Sequence, residues 1–198
     1  MEKLLPPNKE KYTGVRFEPE CLGVFSPNIK QKALIKQLIT AGKEFGKLDI
    51  KDENGGNLSV MTKDGMIIKN TGAYPFKLTI KDFSLVVGFD GEEVYYFGQK
   101  TPSSESRLHW SIYANRPDVR CVLHCHDFLV VLSDKKFPVH YIKEMPYGTL
   151  ALAKQVSAGL IDNDYLIETN HGVVAVGKTV KQALTIIKKY HASAQKIT

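Results

Sequence analysis

The chain has 198 residues, of which 43% are hydrophobic and 24% are charged, and its formal net charge is +6. This length and composition are typical of one soluble globular domain with a full hydrophobic core. The lysines are scattered rather than clustered, so a solvated surface is favoured over nucleic-acid binding. The sequence lacks a run of about 20 apolar residues, which excludes a membrane-spanning helix. The positive net charge suits a small anionic substrate such as a phosphate ester.

The cysteines and the first residues of the chain predict where the protein is located. Cys21, Cys121 and Cys125 form no regular framework, and an odd number of this kind indicates a reducing compartment. Residues 1–12 lack the apolar core of a secretory signal peptide. We therefore expect a cytoplasmic protein.

The first half of the chain predicts an arm, a helix and two hairpins. Residues 1–27 contain four prolines and predict an irregular N-terminal arm, followed by a single domain over 28–198. An apolar stripe at helical spacing predicts a helix from Pro27 or Asn28 to about Gly46. Two hairpins follow, each around an Asp-Gly turn. Their predicted strands are 58–62 with 66–69, and 83–89 with 94–96.

In the second half, helical patterns alternate with short apolar runs. Residues 101–105 have the composition of a helix start, and this helix should end near Ala114, before a proline. Strands are predicted at 121–126, 138–142, 165–169 and 173–176, and helices at 149–158 and 179–195. The order of these elements favours an α/β fold, with a mostly antiparallel sheet and helices packed around it.

Two histidines one residue apart, His124 and His126, end the apolar run at 121–126. Alternate residues of a strand face the same side, so their imidazoles can converge on one cation at about 2.0–2.1 Å. Cys125 would then face the opposite side, as a core residue. Taken alone, two histidines held by backbone hydrogen bonds explain this pattern equally well.

A third histidine favours a metal site. His171 lies in the turn Asn170-His171-Gly172, between two predicted strands. Three histidines leave zinc a fourth position for water or substrate, which is the pattern of a catalytic rather than a structural site.

Small polar turns supply a candidate anion site. Ser103 and Ser104 stand at a predicted helix N-terminus, whose N–H groups and hydroxyls can bind an anion. Helix capping is the commoner role of such residues, and Glu105 could be a capping partner as well. The turns at 55–57 and 70–72 add N–H groups and small polar side chains.

Together and in this order, these pieces resemble the class II aldolase and adducin family. The resemblance extends from the helix at Asn28 to the closing helix. The residues that carry it are Gly56-Asn57-Leu58-Ser59-Val60, Thr71-Gly72, Pro102-Ser103-Ser104-Glu105 with Arg107 and His109, Arg116-Pro117-Asp118, Val122-Leu123-His124-Cys125-His126, and His171-Gly172.

The resemblance implies an α/β/α sandwich around a mixed, largely antiparallel sheet, assembled as a homotetramer with active sites at the subunit interfaces. It implies that His124, His126 and His171 bind Zn²⁺, and that Glu105 is both a fourth ligand and the catalytic acid/base. Tyr141, from a neighbouring subunit, would protonate the departing aldehyde oxygen. The implied ligands of the substrate phosphate are Gly56, Asn57, Thr71, Gly72, Ser103 and Ser104.

The implied reaction is cleavage or formation of a ketose 1-phosphate, which yields dihydroxyacetone phosphate and a small aldehyde through a zinc-stabilised enediolate. Mn²⁺ or Fe²⁺ are alternatives to Zn²⁺, because imidazole binds several divalent metals. Two other functions remain open. One is a sugar-phosphate epimerase or dehydratase of the same superfamily, for example one acting on methylthioribulose 1-phosphate. The other is a non-catalytic, adducin-like interaction module, which the three histidines and Glu105 disfavour.

Overall fold

A nine-stranded sheet forms the centre of the computed structural model, which describes residues 13–48, 50, 55–133 and 137–197. The strands are β1 (Glu18–Gly23), β2 (Asn57–Thr62), β3 (Gly65–Lys69), β4 (Phe83–Phe89), β5 (Glu93–Phe97), β6 (Cys121–Cys125), β7 (His140–Ile142), β8 (Tyr165–Glu168) and β9 (Gly172–Gly177). The helices are α1 (Ile29–Lys47), α2 (Ser106–Asn115), α3 (Phe128–Val131), α4 (Leu150–Gly159) and α5 (Val180–Ala194).

The sheet is mixed and largely antiparallel, as predicted. Its strand order is β1-β5-β4-β3-β2-β6-β9-β8-β7. The two pairs at the edges, β1 with β5 and β7 with β8, are parallel. The other neighbouring pairs are antiparallel. The predicted hairpins β2–β3 and β4–β5 are therefore confirmed, and β6 lies in the interior of the sheet between β2 and β9.

Helices cover both faces of the sheet, which confirms the predicted α/β/α sandwich. In β6, Cys121, Leu123 and Cys125 face the core that is shared with α1 and α5. Val122 faces the opposite core, shared with α2 and α4. Because side chains alternate along a strand, His124 also lies on the α2/α4 side. Cys125 is a buried core residue, as its position in the strand predicts.

The prediction of an irregular arm over residues 1–27 is wrong for β1, which pairs in parallel with Glu93–Phe97. Residues 1–12 lie outside the described part of the chain. The strand β1 is mostly exposed and contains Pro19, which an edge strand tolerates because one side of its backbone makes no ladder. Because β1 has no buried face, its residues do not alternate between hydrophobic and polar. The sequence pattern therefore does not predict this strand.

Helix α1 shows why local sequence predicts its start. Asn28 Oδ1 accepts a hydrogen bond from Gln31 N–H (3.0 Å), and Gln31 Oε1 accepts one from Asn28 N–H (2.9 Å). This reciprocal capping box satisfies two N–H groups that the helix itself leaves without partners. The buried stripe that follows includes Ile35, Leu38 and Phe45. Among the described helices, none is both long and apolar enough to cross a membrane.

The turn between β8 and β9 packs closely against β6. A Cβ atom built on Gly172 would lie 2.6 Å from the carbonyl oxygen of Cys125 and 2.9 Å from Cε1 of His124. Both distances are shorter than any ordinary contact, so the absence of a side chain lets His171 approach the histidines of β6.

We predict that Gly172→Ala destabilises the protein by about 1–3 kcal/mol, because the new methyl group overpacks against backbone that cannot move aside. Gly88→Ala in β4 is the matched control, since its Cβ would meet only the Tyr95 side chain at an ordinary 3.5 Å. Urea denaturation of both variants measures the difference. Equal midpoints for the two variants would show that the close approach is not tight.

Candidate active site

The structure brings together the three histidines that the sequence singles out. Their ring centroids are 5.1 Å apart for His124 and His126, 4.8 Å for His124 and His171, and 4.9 Å for His126 and His171. Each ring offers a nitrogen within 4.8 Å of the nitrogens offered by the other two. The antiparallel pairing of β6 with β9, in which Cys125 lies opposite Val173, places the turn of His171 beside His124 and His126.

A polar contact on the Nδ1 side of the ring orients two of these histidines. His124 is fully buried, and its Nδ1 is 3.1 Å from the carbonyl oxygen of Val173. A carbonyl only accepts, so Nδ1 carries the proton and Nε2 keeps its lone pair. Burial also holds the pKa of His124 well below its usual value, which keeps the ring neutral. In His171, Nδ1 contacts the carboxylate of Glu168, and Nε2 is 4.0 Å from Oε1 of Glu105.

Glu105 directs a buried carboxylate at the histidines. Its side chain is 3% exposed, and Oε2 lies 3.5 Å from Nε2 of His124. The same oxygen accepts a hydrogen bond from Asn57 Nδ2 at 2.8 Å. Although Glu105 immediately precedes α2, its side chain makes no capping hydrogen bond in the described structure. Its backbone N–H donates to Ser103 Oγ at 3.3 Å. The capping explanation therefore fails for Glu105, and the hydroxyl of Ser103 binds in the turn that precedes the helix.

These residues fit a divalent cation. Nε2 of His124 and Oε1 of Glu105 are buried without a hydrogen-bond partner among the described residues. A buried polar atom left unpaired is costly, and such atoms in native proteins usually have a partner. Three imidazoles and one carboxylate form a ligand set that Zn²⁺, Mn²⁺ and Fe²⁺ all accept. Two overlapping groups could therefore hold a metal ion: His124, His126 and His171, and Glu105, His124, Glu168 and His171.

The turn after β3 lies beside the segment that precedes α2. Thr71 N–H donates to the carbonyl of Thr101, and Ser103 N–H donates to that of Lys69, each at 3.0 Å. These two N–H groups are therefore occupied, which leaves hydroxyls and other N–H groups to bind an anion. The predicted phosphate ligands on these two segments are Thr71, Gly72, Ser103 and Ser104.

The other two predicted phosphate ligands, Gly56 and Asn57, lie directly against β6. Asn57 is the register partner of His124 in the β2–β6 pair. Gly56 has φ +76°, and a Cβ there would lie 2.7 Å from the carbonyl oxygen of His124. A glycine is thus required both by the backbone conformation and by the close approach. Asn57 Nδ2 binds Glu105, so in this structure Asn57 acts on the metal side of the site.

Comparison with known proteins agrees with this geometry. The sequence profile of the class II aldolase and adducin N-terminal domain matches residues 36–197. The chain belongs to the class II aldolase and adducin family. A 5-methylthioribulose-1-phosphate/5-deoxyribulose-1-phosphate aldolase of Rhodospirillum rubrum is 31% identical over 170 residues, which cover 78% of this chain and 75% of that protein. An L-fuculose phosphate aldolase of Escherichia coli is 31% identical over 183 residues, covering 84% and 83%.

The fold of the family is shared as well. The crystal structure of L-fuculose-1-phosphate aldolase from Thermus thermophilus superposes with a TM-score of 0.72, over 84% of this chain and 93% of that chain. Sequence identity across this superposition is 22%, so the likeness is one of architecture.

Within one chain, the side chain of Tyr141 is not directed at the three histidines. It lies on β7 at the edge of the sheet, and packs against the α1/α5 core. Its hydroxyl accepts a hydrogen bond from Phe137 N–H at 3.3 Å. His124 faces the opposite core, so Tyr141 and His124 lie on opposite sides of the sheet.

Two buried charged residues of the site were not predicted from the sequence. Lys69 is 2% exposed at the end of β3, donates to the carbonyl of Ala73 at 2.7 Å, and has a pKa lowered to about 8 by burial. Glu168 is 1% exposed and contacts His171. The alternation of β8 was a usable signal, because Glu168 follows the core residue Leu166 by two positions and so shares its face.

A neutral histidine lies one helical turn behind Glu105. Nδ1 of His109 is 2.7 Å from Ser59 Oγ, which is 2.8 Å from the hydroxyl of Tyr113. Two polar pairs therefore connect β2 to the start of α2. Asn57 binds Glu105, and two residues further along β2, Ser59 binds His109 in the next turn of α2. Burial lowers the pKa of His109 to about 4, and the nearby Glu105 charge only partly offsets this.

We predict that His109 makes stability fall as the pH drops from 6.5 to 4. In this window the unfolded chain binds a proton at His109 and the folded chain does not, so the free energy of unfolding decreases. The full difference is about 3 kcal/mol at one histidine. Urea denaturation of His109→Gln should show a shallower loss over this range, whereas the exposed control His140→Gln should keep the wild-type slope. Parallel pH profiles for wild type and His109→Gln would refute the prediction.

Proposed function

We propose that the protein is a metal-dependent aldolase that cleaves, or forms, a ketose 1-phosphate to give dihydroxyacetone phosphate and a small aldehyde. The observation that carries this proposal is the buried carboxylate of Glu105, held beside Nε2 of His124 and Nε2 of His171. The proposal is further supported by relatives whose names describe aldolases of L-fuculose phosphate and of 5-methylthioribulose 1-phosphate.

The proposed cofactor is one Zn²⁺ per subunit, with Mn²⁺ or Fe²⁺ as alternatives, held by His124, His126, His171 and Glu105. A bound divalent cation acts as a Lewis acid, and stabilises negative charge that develops on the substrate oxygens when the carbon–carbon bond breaks. The neutral, fully buried ring of His124 presents Nε2 for this purpose without first losing a proton.

Glu105 is the proposed general acid/base. Its Oε2 is held by Asn57 Nδ2, whereas Oε1 accepts no hydrogen bond from the described residues and can exchange a proton with substrate. The rigid contact with Asn57 keeps the carboxylate at one position while a proton moves. A group placed in this way typically contributes about 10²–10⁴-fold to the rate.

The substrate phosphate is proposed to bind at the two adjacent turns. The hydroxyls of Thr71, Ser103 and Ser104 point to this role, because hydroxyls donate to phosphate oxygens and cost little to orient. Gly72 has φ +71° and open space where a Cβ would stand, so its backbone is accessible to a ligand. Gly56 and Asn57 complete the proposed set on the metal side. The net charge of +6 favours the approach of an anionic substrate.

Tyr141 is the proposed proton donor to the aldehyde oxygen, supplied by a neighbouring subunit. Its position on the outermost strand β7 places it where a second chain can approach. The homotetramer that the family resemblance implies is therefore part of this proposal. The cytoplasmic location also stays a prediction.

We predict that the purified protein releases dihydroxyacetone phosphate from at least one ketose 1-phosphate, and that a chelator abolishes this release. The panel is L-fuculose 1-phosphate, 5-methylthioribulose 1-phosphate and 5-deoxyribulose 1-phosphate, with triose phosphate as the readout and His126→Ala as the inactive control. Loss of water without carbon–carbon cleavage would identify a dehydratase, and an isomeric sugar phosphate an epimerase. Metal-free protein without any turnover would leave the adducin-like interaction module as the better explanation.

We also predict that Glu105→Gln and Tyr141→Phe each lower kcat by about 10²–10⁴-fold with metal content unchanged. Co-expression of the two variants should then restore part of the wild-type activity, because some interfacial sites combine an intact Glu105 with an intact Tyr141. A mixture that stays as inactive as the single variants would show that Tyr141 does not act across an interface. Wild-type turnover by either variant alone would remove that residue from the mechanism.

A further inference from the structure

Glu168 is a buried carboxylate in contact with a histidine of the metal site. It is 1% exposed, and Oε2 contacts Nδ1 of His171. Neither oxygen accepts a hydrogen bond from the part of the chain that the structure describes, so the approach of Oε2 to Nδ1 is a contact between a carboxylate and an imidazole. Isolated carboxylates are costly to bury, so a residue of this kind needs a partner that repays its desolvation. Within the described structure that partner is the imidazole of His171.

Local structure holds the two side chains together. Glu168 ends β8, and His171 lies three residues later in the turn to β9. The turn is closed by a hydrogen bond from His171 N–H to the carbonyl of Glu168 at 3.0 Å. Asn170 supplies the left-handed residue of the turn, with φ +59°. Since Glu168 follows the core residue Leu166 by two positions, its side chain is directed inward rather than to solvent.

We propose that Glu168 is a positioning residue that orients His171 and fixes its tautomer for metal binding; this inference rests on the metal site of the proposed function. A carboxylate beside Nδ1 favours the tautomer whose proton is on Nδ1, which leaves the lone pair of the same ring on Nε2. Nε2 is the atom that lies on the side of Glu105. A carboxylate partner also makes a ligating imidazole more basic, and so a stronger ligand.

His124, the other oriented histidine, shows by comparison that Glu168 adds a negative charge beside His171. Nδ1 of His124 donates to a neutral backbone carbonyl, that of Val173. His171 instead has a charged partner. Glu105 and Glu168 bring two negative charges to the site, and the nearby Lys69 brings one positive charge. Without Glu168, a divalent cation would be buried beside Lys69 with only one carboxylate to oppose the two, so we expect Glu168 to favour the metal-loaded protein over the metal-free protein.

The alternative to a positioning role is that Glu168 itself binds the metal ion, and the test must distinguish the two roles. Glu105, His124, Glu168 and His171 also offer ligand atoms within 4.8 Å of one another. However, Glu168 contacts Nδ1 of His171, whereas Glu105 lies on the Nε2 side of the same ring. One imidazole presents only one of these nitrogens to a given ion, and the positioning role uses the nitrogen that faces Glu105.

The test measures Zn²⁺ affinity and metal-free stability of the full-length protein for wild type and three variants. Glu168→Gln keeps an acceptor but removes the charge, and Glu168→Leu removes both. Glu144→Gln is the control, because Glu144 binds Asn170 Nδ2 of the same turn at 2.8 Å from its exposed side. Affinity is obtained by competition with a chromophoric chelator, and stability from the melting temperature of the metal-free protein.

We expect Zn²⁺ affinity to fall about 10–100-fold in Glu168→Gln and at least as far in Glu168→Leu, with no change in Glu144→Gln. The melting temperature of metal-free Glu168→Leu should stay equal or rise, because an incompletely paired buried charge is gone. A fall in Zn²⁺ affinity without a fall in melting temperature distinguishes positioning from a purely structural role, because loss of a structural residue would lower both. A fall in both, or wild-type affinity in Glu168→Gln and Glu168→Leu, would overturn the proposal.

The visible absorption of the Co²⁺-substituted proteins separates positioning from direct ligation. A positioning residue leaves the ligand set intact, so the bands of Glu168→Gln should match those of wild type at saturating Co²⁺. A changed band pattern would mean that Glu168 is itself a ligand, and would overturn the inference. If wild-type protein binds Zn²⁺ while the Glu168 variants bind it equally well, only this inference fails; if wild type binds none, the metal site of the proposed function fails with it.

Discussion

The antiparallel pairing of β6 with β9 is the constraint on which the rest of the site depends. It sets His124 opposite Val174 and Cys125 opposite Val173, so that the turn before β9 reaches the end of β6. Without this register His171 would lie far from the other two histidines. A shift by one residue would turn His124 into the α1/α5 core and Cys125 into the site, because side chains alternate along a strand.

The side chains of Asn57, Glu105 and His124 are buried, and this raises the consequence of each polar contact. In a region of low dielectric, an unpaired polar atom is costly and a paired one is held firmly. Asn57 holds Glu105, and the carbonyl of Val173 holds His124. Each contact removes a freedom of rotation that would otherwise have to be lost when substrate binds, so the geometry is organised in advance.

Side-chain hydrogen bonds between β2 and the first turn of α2 are a second constraint, because they determine where Glu105 lies. Asn57 and Ser59 face Glu105 and His109 across the boundary between sheet and helix. Two residues along a strand and four along a helix cover similar distances, about 6–7 Å, so the polar pairs match only in one relative position of the two elements. The start of α2 is thereby held at the depth at which its carboxylate meets the histidines.

Local patterns in the sequence were sufficient to predict most helices and strands, the start of α1 near Asn28 and the histidine pair at the end of β6. They depend on neighbours in the chain, through periodicity, turn residues and alternation. The edge strand β1 was missed because its exposed residues carry no alternation. Glu168 lies three residues before His171, and the alternation of β8 was a usable signal for it. The partner of Glu105, Asn57, was decided only by the tertiary structure, since strand register and helix depth bring together residues that no local pattern relates.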